Sequence, residues 1–344
     1  MAPIPIAFGT RKVVAHKSII APAFESKTVL VENAWDYVTM WLKRKNQSDA
    51  LFYWEQGRHF FDASSNLPNE SAPLTSYYFA LNAAKVLLLV RGASFSESHG
   101  VSGRTKAGRT CLLGEVVTFE RRGVLGALCA YMRESASGEE YNLKDIFYNL
   151  PYIHRAYNLT FSSQTELFIP VANPRFVRKE NSEEAWFCCD IEDSRYANGR
   201  TMNKLPDAYE RDTGIENVFV VRRKKRFSWK RAAVKKRENL DRLTNYHRKI
   251  RRDLYYIHGP ERLWYLKRGQ DFPQIIQRSS LTLTFGAMHR LSELARYEPM
   301  KLARHFDCQH NWLLCEFIKS SRDQFLDEIS AEITGQDFMT PGRR

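Results

Sequence analysis

Residues 73–108 read PLTSYYFALNAAKVLLLVRGASFSESHGVSGRTKAG, and the remainder of the chain falls into place around them. Between 74 and 90 the only polar side chains are Thr75, Ser76, Asn82 and Lys85, apart from the hydroxyls of Tyr77 and Tyr78. A bilayer crossing needs about 20 predominantly apolar residues, so this run is too short and too interrupted for one. It predicts a helix buried on nearly all sides, with Pro73 in its first turn and Gly92 just past its end. Asn82 and Lys85 stand three apart and share one helix face. A lysine on such a face must snorkel, pair with an acid or serve a site. Arg91 and His99 follow, then a loop with glycines at 100, 103 and 108 and cations at Arg104, Lys106 and Arg109.

The charge has one location. Residues 222–252 hold fifteen of the 52 Lys and Arg but only two of the 39 Asp and Glu, namely Glu238 and Asp241. The net charge of +13 therefore sits in this segment, and the rest of the chain is neutral. The same segment contains Phe227, Trp229 and Tyr246, a mixture suited to tracking phosphates and stacking on bases. Each phosphate neutralised releases counterions, so such a surface binds strongly at low salt and weakly at high salt. The alternatives are a basic surface docked on an acidic protein and a solvated helix face.

The 344 residues allow two or three domains, or one large helical unit with an insertion. An apolar share of 43% and a charged share of 26% are those of an ordinary globule. The start, MAPIPIAFGTRKVV, lacks the layout of a signal peptide, and no membrane association is expected. The six cysteines are sparse and irregular, which fits a reducing, cytoplasmic setting. His305, Cys308, His310 and Cys315 form the one His/Cys cluster. Helical spacing puts 308 and 315 on one face and His310 elsewhere, so core cysteines and surface histidines are expected rather than zinc. No metal and no cofactor is expected. The loop GVSGRTKAGRT lacks the Walker A order and runs into a strand, which makes it a connector.

Helices are expected from Ala34, where Trp35, Val38, Trp41 and Leu42 share a face, and again from Asp49. A short strand is expected within 111–119, a helix or second strand over 124–132, and a short helix over 143–150. Residues 165–222 read as mostly β, because LFIPVA, AWFCCDI and VFVV are strand-like. Helices follow over 229–256, from Glu261, over 274–296 and after Asp307. The expected fold class is mainly α: a helical bundle over 1–164, a small β-containing insertion over 165–222, and a basic arm with a second helical unit over 223–344.

WEQGRHFFDAS, SYYFALNAAKVLLLVRG, SHGVSG, YNLKDIFYNLPYIHRAY and LTLTFGAMHRLSELARYEP, in this order, resemble the YaaC-like family of bacterial proteins. Over about forty residues the helix, Arg-Gly, loop and Ser-His-Gly also resemble the HEPN (higher eukaryote and prokaryote nucleotide-binding) helical domains. That resemblance implies RNA binding or metal-independent RNA cleavage, an antiphage defence setting and pairing into homodimers. HEPN ribonucleases use an arginine followed four to six residues later by a histidine, whereas Arg91 and His99 have seven residues between them. The shorter spacing recurs at Arg11/His16, Arg242/His247, Arg251 or Arg252/His258, and Arg304/His310. With thirty-three Arg and nine His in the chain, such pairs carry little information.

The expected function is nucleic-acid binding, RNA ahead of DNA. It would work through Arg222, Arg223, Lys224, Lys225, Arg226, Trp229, Lys230, Arg231, Lys235, Lys236, Arg237, Arg248, Lys249, Arg251 and Arg252. The enzymatic alternative is a metal-independent ribonuclease using His99, Arg91, Lys85 and Asn82, with the histidine as general base and the cations stabilising the developing charge. A third reading is a non-catalytic adaptor whose arm docks on an acidic protein partner.

Overall fold

The computed structural model describes residues 3–215, 218–230, 235–269 and 273–339. It is 44% helix and 20% strand. The protein is therefore mixed α/β, which overturns the expectation of a mainly α chain with a small β insertion.

The reason is an eight-stranded antiparallel sheet. Its main path runs Tyr209–Asp212, Phe219–Arg223, Glu184–Ile191, Phe168–Arg178, Leu263–Lys267 and Leu254–Ile257. Ile4–Pro5 also pairs with Phe168–Arg178, and Phe227–Ser228 with Glu184–Ile191. Cys188 and Cys189 sit opposite Arg222 and Val221, and Leu266 sits opposite Ile169. Two of these strands replace expected helix. Leu-Tyr-Tyr-Ile at 254–257 and Leu-Trp-Tyr-Leu-Lys at 263–267 are short apolar runs whose periodicity cannot separate strand from buried helix. Their aromatic content favours a pleated, half-buried surface, and pairing with each other settles it. The helix Lys236–Ile250 lies on this sheet and buries Leu243, Tyr246 and Ile250 in its core.

The helices form the other layer. Ala72–Val90 is its centre, packed against Ser48–Ser65, Ser280–Tyr297 and Asn311–Thr334. Phe79, Leu87 and Leu88 are fully enclosed, and each contributes about 1.5–3 kcal/mol by leaving water. Gly92 ends the helix at φ +63°, a conformation that glycine adopts without strain. Among the described residues Ala72–Val90 is the one helix long and apolar enough to cross a membrane, and most of it is buried inside the protein. Helices from both ends of the chain share this core, from Ala34–Arg44 to Asn311–Thr334.

A second sheet of three strands, Val101–Thr105, Glu115–Phe119 and Glu139–Asn142, sits against Ser280–Tyr297. Arg290 joins the two, donating to Glu115 at 2.8 and 3.0 Å, to Thr105 at 2.8 Å and to Glu293 at 2.9 Å. Gly103 makes room for it, since a Cβ there would collide with the Arg290 and Glu293 side chains. The glycine-rich loop is thus part of a sheet edge.

The first thirty residues tie the two layers together. Lys17 pairs with Asp327 at 2.8 Å, and Ser18, Ile19 and Ile20 donate to the Glu332 carboxylate. The amide of His16 donates to Nε2 of the fully buried His247 at 3.1 Å.

Candidate nucleic-acid interface

Between the helical layer and the large sheet lies a cavity of about 500 Å³. Four parts of the chain place cations around it. Arg133 follows the helix Gly123–Met132, Arg223 ends the strand Phe219–Arg223, and Arg278 precedes Ser280–Tyr297. Arg248, Lys249, Arg251 and Arg252 stand at the end of Lys236–Ile250. Two acids, Glu134 and Asp253, also line it.

These arginines are poorly satisfied. Arg223 leaves Nε and Nη1 buried with no partner among the described residues, and Arg248 and Arg251 each leave Nε so. Buried polar groups are nearly always paired, and an unpaired one costs about 1–3 kcal/mol. Burial lowers the pKa of both Arg248 and Arg251, and Arg133 adds to the effect at Arg248. Two helices end at the cavity, and the partial negative charge of each C-terminus, about half a unit, helps to hold cations there. Neither Arg248 nor Arg251 makes an ion pair among the described residues, although the Glu332 charge acts on both and that of Glu328 on Arg251. Burial also raises Asp253 to about 6, while Arg223 pulls it down. Arg278 differs from the others, being paired with Glu134 at 3.3 Å and Glu139 at 3.6 Å.

Arg133 has a further peculiarity. It caps its helix in the left-handed region, at φ +60°, a place that glycine fills at lower cost. The backbone there would accept a residue with no side chain, yet a guanidinium faces the cavity.

The rest of the cationic segment is spent on structure. Arg222 pairs with Glu210 at 2.8 Å and Asp212 at 3.5 Å. Arg226 pairs with Glu184 and lies over Trp186. Lys230, Lys235 and Arg242 surround Glu238, and Lys236 pairs with Glu25. Trp229 packs edge-on against Phe8 and Phe227, and Phe227 lies on Tyr246 at 4.6 Å between ring centres. The three aromatics expected to stack on bases therefore serve the core of the sheet layer. Among the described residues, Lys224, Lys225, Arg237, Lys249 and Arg252 are exposed and make no ion pair. Arg231 lies outside the described residues.

The other expected site is only partly assembled. Lys85 pairs with Glu97 at 2.6 Å and lies over the Tyr53 ring. His99 is near enough to Lys85 to feel its charge, although burial is the larger cause of its lowered pKa. Arg91 turns away to the carbonyl of Glu332, and Asn82 donates to the carbonyl of Tyr78. The His99 ring instead meets Tyr77 and His289, with centres 5.4 and 5.7 Å apart. Burial, with His99 and Arg290 assisting, lowers His289 to about 3.

The His/Cys cluster also differs from expectation. His305 and His310 are the buried members, hydrogen-bonded to each other at 2.9 Å, with His305 also 3.2 Å from Glu115. Cys308 and Cys315 are half-buried, and all six cysteines are free thiols. The helix Pro299–Phe306 ends just after His305 and the next begins at Asn311, so one helical spacing does not run through the cluster. Among the described residues no three His, Cys, Asp or Glu side chains group as a metal site.

Arg133, Arg278 and Asp253 were invisible as site residues because they come from elements far apart in sequence. The signal that could have found Arg133 is its place just after an apolar helix run, where a glycine cap is usual.

A two-layer α/β protein with a cationic cavity at the layer boundary is the class these features define. The family model for YaaC-like Protein matches residues 21–333, and the chain belongs to this family. No curated protein and no solved structure matches it.

Proposed function

We propose that this protein binds nucleic acid through phosphate contacts, RNA ahead of DNA, at a surface centred on the arginine-lined cavity. The observation that carries this reading is the convergence of Arg133, Arg223, Arg248 and Arg251, the last three with buried donors left unpaired among the described residues. Lys224, Lys225, Lys249 and Arg252 extend the same charge to the exposed surface. The preference for RNA is supported by the resemblance of residues 73–108 to HEPN domains. The test is a salt series of binding to labelled RNA, single-stranded DNA and duplex DNA, each also run on a denaturing gel. Retention should fall steeply with salt, by about 0.7 in log affinity per log salt for each single-strand phosphate engaged. No retention at low salt would discard the reading and leave an adaptor with an acidic protein partner.

One observation favours a second reading, metal-independent RNA cleavage. His99 and His289 lie together, with Lys85 near His99, and burial lowers the pKa of both. A neutral imidazole is able to accept a proton from a ribose hydroxyl. Cut strands that persist in EDTA and disappear in His99→Ala would bring this reading forward.

A further inference from the structure

We propose that the cavity takes the multiply charged terminal phosphate of a nucleotide, either free or at the end of a strand. The strand form of this inference rests on the nucleic-acid reading above, and the free-nucleotide form stands without it.

Charge is the first reason. Seven cations and two acids line the cavity, and one of those acids, Glu134, is already paired with Arg278. A phosphodiester passing through a strand brings one negative charge, whereas a terminal phosphate brings about −1.5 to −2 near pH 7 and a polyphosphate more. A concentration of guanidinium groups this high matches the second kind of ligand. Arginine is also the side chain whose fork of donors fits phosphate oxygens in pairs.

Shape is the second. A volume of about 500 Å³ sunk between two layers is that of a small-molecule site. The interior of a strand would cross such a mouth, and an end can enter it. Lys249 and Arg252 stand exposed at the rim, with Lys224 and Lys225 following Arg223 outward on the surface. A strand whose end is seated inside has cations along its exit.

Satisfaction of donors is the third. Arg251 gives its terminal nitrogens to the carbonyls of Leu254 and Lys17, and Arg248 gives one to Ile20. These bonds fix the guanidinium planes and leave Nε of each, with Nε and Nη1 of Arg223, unused among the described residues. Arg223, whose unused nitrogens include a terminal one, can present a donor to a bound oxygen without giving up an acid partner.

The experiment measures affinities for one short RNA carrying a 5′-triphosphate, a 5′-monophosphate or a 5′-hydroxyl, together with free ATP and GTP. The full chain is used as wild type, as Arg223→Gln, as the rim variant Lys249→Gln with Arg252→Gln, and as the outer variant Lys224→Gln with Lys225→Gln. The triphosphate end should bind on the order of tenfold more tightly than the hydroxyl end, the size of one or two charge-assisted hydrogen bonds. Arg223→Gln and the exposed rim variant should erase that difference, and the outer variant should weaken all three ends alike. Equal binding of the three ends, with no binding of free nucleotide, would overturn the inference while leaving the nucleic-acid reading in place. Binding of free nucleotide alone, lost in the rim variant, would sustain the inference and remove the strand reading. Binding of neither would overturn both.

Discussion

Arg290 and Arg223 are both arginines at a boundary between helix and sheet, and they are treated in opposite ways. Arg290 is buried among Glu115, Glu293 and Thr105 and directs donors at all of them. Arg223 is half-buried over the Tyr246 ring, near enough to Asp253 to act on its charge, and two of its nitrogens have no partner among the described residues. A guanidinium matched by acids holds elements together. One crowded with like charges costs folding energy: two unit charges about 6 Å apart at an effective dielectric of 20 repel by about 3 kcal/mol. Such a cost is retained where an anion relieves it. The same contrast runs through the basic segment, where Arg222, Arg226 and Lys230 are held in ion pairs and, among the described residues, Arg223, Arg248 and Arg251 are not.

The largest effect should come from breaking the satisfied cluster. Glu115→Ala removes the fully buried acid partner of Arg290, leaving it Glu293 and Thr105, and should cost about 3 kcal/mol of stability, read by denaturant unfolding. A loss below about 1 kcal/mol would erase the distinction between the two clusters. Arg223→Gln should behave in the reverse sense. Unfolding should move little, because no ion pair is lost, while affinity for a phosphate-bearing ligand drops on the order of tenfold. Arg133→Gly should separate the two quantities further. Relief of the left-handed backbone should stabilise the chain by about 1 kcal/mol, with weaker ligand binding in the same protein.

The smallest effect is a pH dependence. Asp253, raised to about 6 mainly by burial, is anionic above that pH and opposes a bound phosphate. The groups around it are Arg223, Arg252, Tyr209 and Lys267. Lys267 is fully buried and lowered to about 7 by burial, so it gains a proton over a neighbouring range. Both changes add positive charge around Asp253 as pH falls. A 5′-hydroxyl strand, whose diesters do not titrate here, should bind a few-fold more tightly at pH 5.5 than at pH 8, roughly the size of a partial pKa coupling. For stability, a carboxyl whose folded pKa lies above its unfolded value favours folding at low pH. The Asp253 contribution should therefore be lost as pH rises from about 4 through 6. Affinity that declines on acidification would count against Asp253 as a cavity group.

Legibility followed the range of the interactions. The helix Ala72–Val90 could be read because its apolar run, its proline and its glycine all lie within twenty residues. The strands Phe168–Arg178 and Glu184–Ile191 were legible from their β-rich runs and the turn between them. Leu254–Ile257 and Leu263–Lys267 were misread as helix. Nothing local distinguishes five apolar residues that pair with a neighbour from five that coil. Lys85 lies near His99, whereas Arg91 turns to the Glu332 carbonyl, 241 residues away, which no local pattern could indicate.

Composition alone established that the excess charge is confined to residues 222–252, because counting charges needs no coordinates. Which of those charges remain available was decided by tertiary structure. Glu184, Glu210 and Glu25 neutralise the outer members from other elements. Arg133 and Arg278 join the inner members from the far layer. Electrostatic energy depends on distance and burial, and neither can be read from the order of residues in a chain.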